Sequence, residues 1–186
     1  MLLTESELRQ RSQLLQKATT KKSEILLNES RSVSSDFFDI FLSHSVLDAE
    51  IILGAKLRLE DAGFTVYVDW INDPKLDRSS VTRATAASLR IRMAQCKMLV
   101  YVHSQNAAMS KWCPWELGFF DGKKGGNVFI LPISVGSQNT FIGQEYLGLY
   151  PYLTPSTSSK NMWIEKVIGM HLLTEARTNI FRRELT

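Results

Sequence analysis

Four short apolar runs, each separated from the next by a stretch of helical period, predict an α/β protein with a parallel sheet and helices on both faces. The runs are residues 37–42, 64–68, 97–102 and 127–133. Between the first two, Val46, Ala49, Leu53 and Leu57 recur at the spacing of one helix face, and Gly63 stands where a left-handed cap ends a helix. In sheets of this kind the loops leaving the carboxyl ends of the strands form the ligand site. Functional residues are therefore sought just after each apolar run.

The elements follow in order. Residues 1–28 predict a helix with a weak apolar stripe through Leu3, Leu8, Leu14 and Leu15, and residues 29–35 form a Ser-rich linker. This arm, residues 1–35, reads either as a solvated helix with one docked face or as a helix for self-association or a partner. It is too short for a long coiled coil. Residues 36–186 form the main domain. Its first strand, 37–42, closes on Ser43, His44 and Ser45, and Ser45 with Asp48 three residues on has the pattern of a capping box. The second strand, 64–68, runs into a polar loop, Asp69 to Arg78, that contains Pro74. Ser79 or Ser80 caps a helix reaching about Gln95, and the third strand, 97–102, leads into a loop from His103 to Lys111. Pro114 is best tolerated in the first turn of a helix, so it fixes the start of a helix carrying Glu116 to about Lys123. Gly125 and Gly126 break the chain before the fourth strand. A short fifth strand is expected near 149–153, and a terminal helix from about Lys160, with Gly169 weakening its continuity.

Composition narrows the function classes. The net charge is +3 over 186 residues, and residues 1–35 hold six basic and four acidic side chains, which is +2 of that +3. The remainder is close to neutral, so no nucleic-acid groove is expected. Cys96 and Cys113 are far apart and, with three scattered histidines, give no metal-ligand spacing. Two free thiols suit a reducing cytosol. The first residues lack the apolar core of a signal peptide, and no run approaches the roughly 18 apolar residues of a membrane span. The expectation is a cytoplasmic protein with no membrane contact. There is no G-x-G-x-x-G and no phosphate-binding G-x-x-x-x-G-K, so dehydrogenase and nucleotide-triphosphatase readings have no support.

The most informative stretch is Trp112-Cys113-Pro114-Trp115-Glu116-Leu117-Gly118. A spacing of four puts Trp112 and Glu116 on one helix face, just beyond an apolar strand. By itself this is a well-placed acid at the positive end of a helix, worth about 0.3–1 kcal/mol to that helix. Three boxes in order change its meaning. Phe38-Asp39-Ile40-Phe41-Leu42-Ser43-His44 resembles the first box of TIR domains, the loop Asp69 to Arg78 occupies the place of their BB loop, and Trp112-Cys113-x-x-Glu116-Leu117 resembles the motif bearing the catalytic glutamate of TIR enzymes. Leu131-Pro132-Ile133 is similar to their fourth strand. The resemblance covers residues 36–170. It implies a flavodoxin-like sheet of five parallel strands in the order 2-1-3-4-5, with the N-terminal helical arm as an addition. The loop 70–78 lacks the Arg-Asp-x-x-Pro-Gly of animal adaptor TIR domains, which argues against an adaptor.

For a stand-alone chain of bacterial type, the resemblance is to the TIR component of Thoeris anti-phage defence. It implies cleavage of NAD at the nicotinamide–ribose bond, giving ADP-ribose or a cyclic isomer that signals to a separate effector protein. NAD is then a consumed substrate, with no cofactor and no metal. The resemblance also implies self-association through TIR–TIR contacts. Glu116 is the expected catalytic residue, stabilising an oxocarbenium-like ribose, since nicotinamide leaves neutral and needs no acid. His103 is expected to orient the ribose or act as a base in ring closure. His44 closes the neighbouring strand, so both imidazoles are expected to converge on Glu116. Ser43 and Ser45 can bond phosphate oxygens at a helix N-terminus, with capping as the competing role of Ser45. Asp69 and Asp73 bracket the start of the loop, Lys75 and Arg78 can meet the pyrophosphate, and Trp112 can wall the pocket or simply pack. Two other functions stay open on the residues: a non-catalytic scaffold for homotypic assembly, and a nucleoside deoxyribosyltransferase-like enzyme that uses one glutamate on a similar fold.

Overall fold

A computed structural model of the chain describes residues 2–18, 37–73, 76, 82–136, 143–155, 162–166 and 169–172. Five strands form the parallel sheet: β2 Phe38–Ser43, β3 Val66–Tyr67, β4 Cys96–His103, β5 Val128–Ser134 and β6 Tyr152–Pro155, in the order β3-β2-β4-β5-β6. This is the expected 2-1-3-4-5 order. β2 and β4 lie at the centre, where Ser43 pairs with Tyr101 at their carboxyl ends. The adjacent end of β4, His103, pairs with Pro132 of β5.

The alternation of side chains along the strands divides the core in two. Ile40, Leu42, Met98, Val100, Val102, Phe129 and Leu131 face one side, where Ile51, Ile52, Ala55 and Leu59 cover them. Those four belong to α2, Ala49–Asp61. The covering face differs from the expected Val46-Ala49-Leu53-Leu57 stripe, because a three-residue 3-10 turn, Val46–Asp48, precedes α2 and shifts its register. Val46 and Leu47 are consequently exposed. Phe41, Leu99, Tyr101, Val128 and Ile130 face the other side, under Leu89 and Met93 of α4, Arg83–Ala94, and Cys113, Leu117 and Phe120 of α6, Trp112–Lys124. Gly63 closes α2 at a φ of 89°, as its position suggested.

The N-terminal residues join this body. β1, Leu3–Thr4, pairs in parallel with Ile133 and Ser134 at the end of β5. α1, Glu5–Ala18, begins with a reciprocal capping box in which Glu7 N–H donates to Thr4 Oγ1 at 3.2 Å and Thr4 N–H donates to Glu7 Oε2 at 2.8 Å. α1 lies along α2, with Leu8 fully buried and Arg9–Glu50 and Arg11–Asp61 ion pairs at 2.8 and 3.0 Å along the edge. The expected linker lies outside the described residues.

Other elements depart from expectation. The start of the loop after β3 is a helical turn, α3, Asp69–Asn72, and a second, α5, Gln105–Ala108, interrupts the loop after β4. Ser79 and Ser80 lie outside the described residues, and α4 is capped by Thr82, whose Oγ1 accepts from Thr85 N–H at 3.1 Å. Among the described residues, no terminal helix forms over 162–166 or 169–172. Met162–Lys166 and Gly169–Leu172 are strands β7 and β8, which continue the sheet antiparallel beyond β6. Trp163 and the β-branched Ile164 favour a strand, and Gly169 disfavours a helix. Among the described residues no helix is long and apolar enough to cross a membrane.

Candidate active site

α6 begins where its sequence dictates. Ser110 Oγ accepts from the N–H groups of Trp112 and Cys113 at 3.2 and 3.3 Å. Pro114, third in the helix, has no N–H to satisfy. This start aims Glu116 back at the sheet, where it is fully buried. Ser43, also fully buried, donates its hydroxyl to Glu116 Oε2 at 2.6 Å. A short O–H···O bond to a carboxylate is charge-assisted and among the stronger hydrogen bonds a protein makes. The last residue of β2 and the second turn of α6 are thereby joined at the sheet's switch point.

Tyr101 lies beside this pair on β4, opposite Ser43. Burial first, then the nearby Cys113, Tyr146 and Glu116, push its hydroxyl far above the usual phenol range, so it stays protonated. Two residues on along the same strand face is His103, whose ring stacks on Tyr101 with centroids 6.3 Å apart. Burial holds the His103 imidazole below its usual value, while its own backbone and the Gln144 side chain partly restore it. Gln144 Nε2–H in turn donates to the Ala108 carbonyl at 3.2 Å, linking the segment after β5 to the loop after β4.

Glu116, Ser43, Tyr101 and His103 are thus gathered on one side of the sheet. The other expected residues are placed differently. His44 is buried; its Nδ1–H donates to the Leu42 carbonyl at 2.7 Å and its Nε2 accepts from the Trp70 indole N–H at 2.9 Å. An indole nitrogen can only donate, so the Nδ1-protonated tautomer is set. Asp69 Oδ1 lies 3.4 Å from that Nε2 and accepts from Trp70 N–H at 2.8 Å. His44 therefore fastens the start of the loop after β3 to the end of β2, and the two imidazoles do not converge.

Asp73 is held by Arg92, with Nε and Nη2 bonds of 2.6 and 2.7 Å, and by the Tyr67 hydroxyl at 2.7 Å. Burial raises its carboxyl, but Arg92 and Tyr67 outweigh that and leave it below the usual range. Ser45 Oγ accepts from Leu47 N–H at 3.3 Å, capping the 3-10 turn. Trp112 is buried against the core and meets Trp115 edge-to-face at 5.4 Å. Trp115 stacks on Phe119 at 5.8 Å under the Arg90 guanidinium. Lys75 and Arg78 lie outside the described residues. Sequence reasoning passed over Tyr101, although its place two residues before His103 on an alternating strand was the available signal.

Against this geometry, comparison with known proteins is decisive. The chain is 52% identical over 132 residues to the probable 3' cyclic ADP-D-ribose synthase ThsB' of Bacillus cereus (strain MSX-D12), an alignment spanning 68% of each chain. The chain belongs to the Thoeris TIR-domain family. A second relative, the candidate cyclic ADP-D-ribose synthase TIR2 of Cytobacillus dafuensis, is 31% identical over 83 residues, covering 44% of this chain and 22% of that longer protein. No protein-family model matches the chain.

Proposed function

We propose that this TIR domain consumes NAD, breaking the nicotinamide–ribose bond and closing the remaining ADP-ribose into a cyclic nucleotide. The observation that carries the reading is the buried Ser43–Glu116 pair at the carboxyl ends of the central strands, in a chain 52% identical to a protein named as a 3' cyclic ADP-D-ribose synthase. When the C–N bond breaks, its electron pair goes to the pyridinium nitrogen and nicotinamide leaves neutral. The positive charge left on the ribose is met by Glu116, at its most effective where water is excluded. Ring closure then needs a hydroxyl of the adenosine ribose to attack the cation, and the 3' hydroxyl is the position in the relative's name. The proton released goes to a base. His103 suits that role, because burial favours its neutral form.

NAD is the consumed substrate, and the chemistry asks for no separate cofactor and no metal. Ser43 and the buried position of Glu116 describe a closed arrangement, with no surface for substrate at the carboxylate. Opening therefore has to accompany binding. Self-association through TIR–TIR contacts is the step we assign to it, with the cyclic product addressing a separate effector. The reaction belongs in the cytosol, where NAD is abundant and Cys96 and Cys113 stay reduced. The test is nicotinamide release from NAD at high protein concentration, with Glu116→Ala alongside. Equal release by both proteins would refute the assignment.

A further inference from the structure

Asp48 stands at the N-cap of α2, yet its side chain caps nothing in that helix. Aspartate at this position ordinarily accepts from the second or third N–H of its own helix. Here Oδ2 accepts from the Ser104 hydroxyl at 2.5 Å and Oδ1 accepts from Asn106 Nδ2–H at 2.6 Å. Ser104 and Asn106 belong to the loop after β4, and Asp48 to the loop after β2. Asp48 and Ser104 are both buried, and the same Ser104 hydroxyl accepts from Ala107 N–H at 2.9 Å. One carboxylate therefore organises the start of α5 and binds together the two loops that leave the central strands. Those strands end at Ser43, which is bonded to Glu116, and at His103, which stacks on the neighbouring Tyr101.

We infer that Asp48 is a positioning residue for the NAD reaction: by joining the loops after β2 and β4 it sets the separation between the Ser43–Glu116 pair and His103. The inference rests on the proposed function. It assigns a role to Asp48, Ser104 and Asn106, and it explains why Asp48 leaves its own helix without a side-chain cap. Cyclisation is more exacting than cleavage, because both ribose rings must be held for the hydroxyl to reach the cation before water does. A displacement of about 1 Å at a reacting geometry costs on the order of a hundredfold in rate.

The experiment uses the full chain with Asp48→Asn, Asn106→Ala and Ser104→Ala singly, and Asp48→Asn with Ser104→Ala together. Three quantities are read: nicotinamide release from NAD, the ratio of cyclic nucleotide to free ADP-ribose, and amide hydrogen exchange at residues 107–110. The expected result is a kcat lower by about 10- to 100-fold with KM within about threefold, a larger share of free ADP-ribose, and at least about tenfold faster exchange at Ala107. The double variant is no worse than the poorer single one, because both remove the same contact. Asn106→Ala keeps the buried Ser104 bond and gives the same pattern, weaker. Unchanged exchange, or a wild-type product ratio and kcat in the variants, overturns the role of Asp48 while the function stands. A wild type that releases no nicotinamide overturns the function itself, and with it the positioning role; the exchange measurement then reports separately whether Asp48 holds the loops.

Discussion

Gly54→Ala offers a test in which the sign of the effect carries the answer. Gly54 lies in α2 beneath α1, and a Cβ built on it would sit 2.1 Å from the Leu8 carbonyl oxygen, 2.7 Å from its carbon and 2.9 Å from its Cα. All three are backbone atoms, so no rotamer change relieves the clash. To restore the 3.4 Å at which ordinary contact begins, α1 must retreat by 3.4 − 2.1 = 1.3 Å at that point. Leu8 is fully buried there. Overpacking of this kind costs about 1–3 kcal/mol, and partial exposure of a leucine draws on the about 1.5–3 kcal/mol its burial supplies. Against this, alanine is better than glycine in a helix by about 1 kcal/mol. The net expectation is a loss of about 1–2 kcal/mol, which in a chain of 186 residues lowers Tm by about 2–8 °C. Gly122→Ala is the internal control, since an added Cβ there meets nothing within 4 Å, and it should raise Tm. The assay is thermal unfolding of both variants beside wild type. If Gly54→Ala matches the control and raises Tm, α1 does not pack on α2 and the reasoning fails.

Ser43→Ala should destabilise the protein by about 1–3 kcal/mol in urea unfolding, because it removes a donor from a buried carboxylate; an unchanged midpoint would contradict the Ser43–Glu116 bond. The Asp73–Arg92 pair predicts a pH dependence. The folded carboxyl titrates below its unfolded value, so its contribution is present at neutral pH and is lost as pH falls from the ordinary carboxylate range through the lower folded value. In Arg92→Met, Tm measured between about pH 5 and pH 3 should fall less steeply than in wild type. His103 is held below its ordinary value by burial, so as a base it should keep kcat level as pH drops through about 6.5, with the acid limb lying lower. His103→Gln should abolish that limb and shift product toward free ADP-ribose, as followed by chromatography of the nucleotides.

The central strands were legible because they are buried on both faces and leave continuous apolar runs, and their order followed from the family resemblance. The position of Glu116 was also legible, since Pro114 fixes the helix start and a spacing of four fixes the face. Errors arose where tertiary contacts outweighed local pattern. Ser45 and Asp48 have the spacing of a capping box, but Asp48 turns across to Ser104 and Asn106, a contact between residues more than fifty positions apart. His44 and His103 both close strands, and strand position alone cannot tell which imidazole will meet an indole N–H. Asp73 read as a loop acid because its partner, Arg92, lies on a helix after the loop. Leu8 and Gly54 hid the docking of α1, since close backbone approach leaves only a glycine as its sign.

The central claim is that Glu116 performs NAD cleavage and that the product is cyclised. The most direct measurement is mass spectrometry of NAD incubated with the full chain at high concentration, with Glu116→Gln as the comparison. The account predicts nicotinamide together with a nucleotide lighter than ADP-ribose by one water from the wild type, and intact NAD from a folded Glu116→Gln. Equal consumption of NAD by both proteins, or none by the wild type, would contradict it.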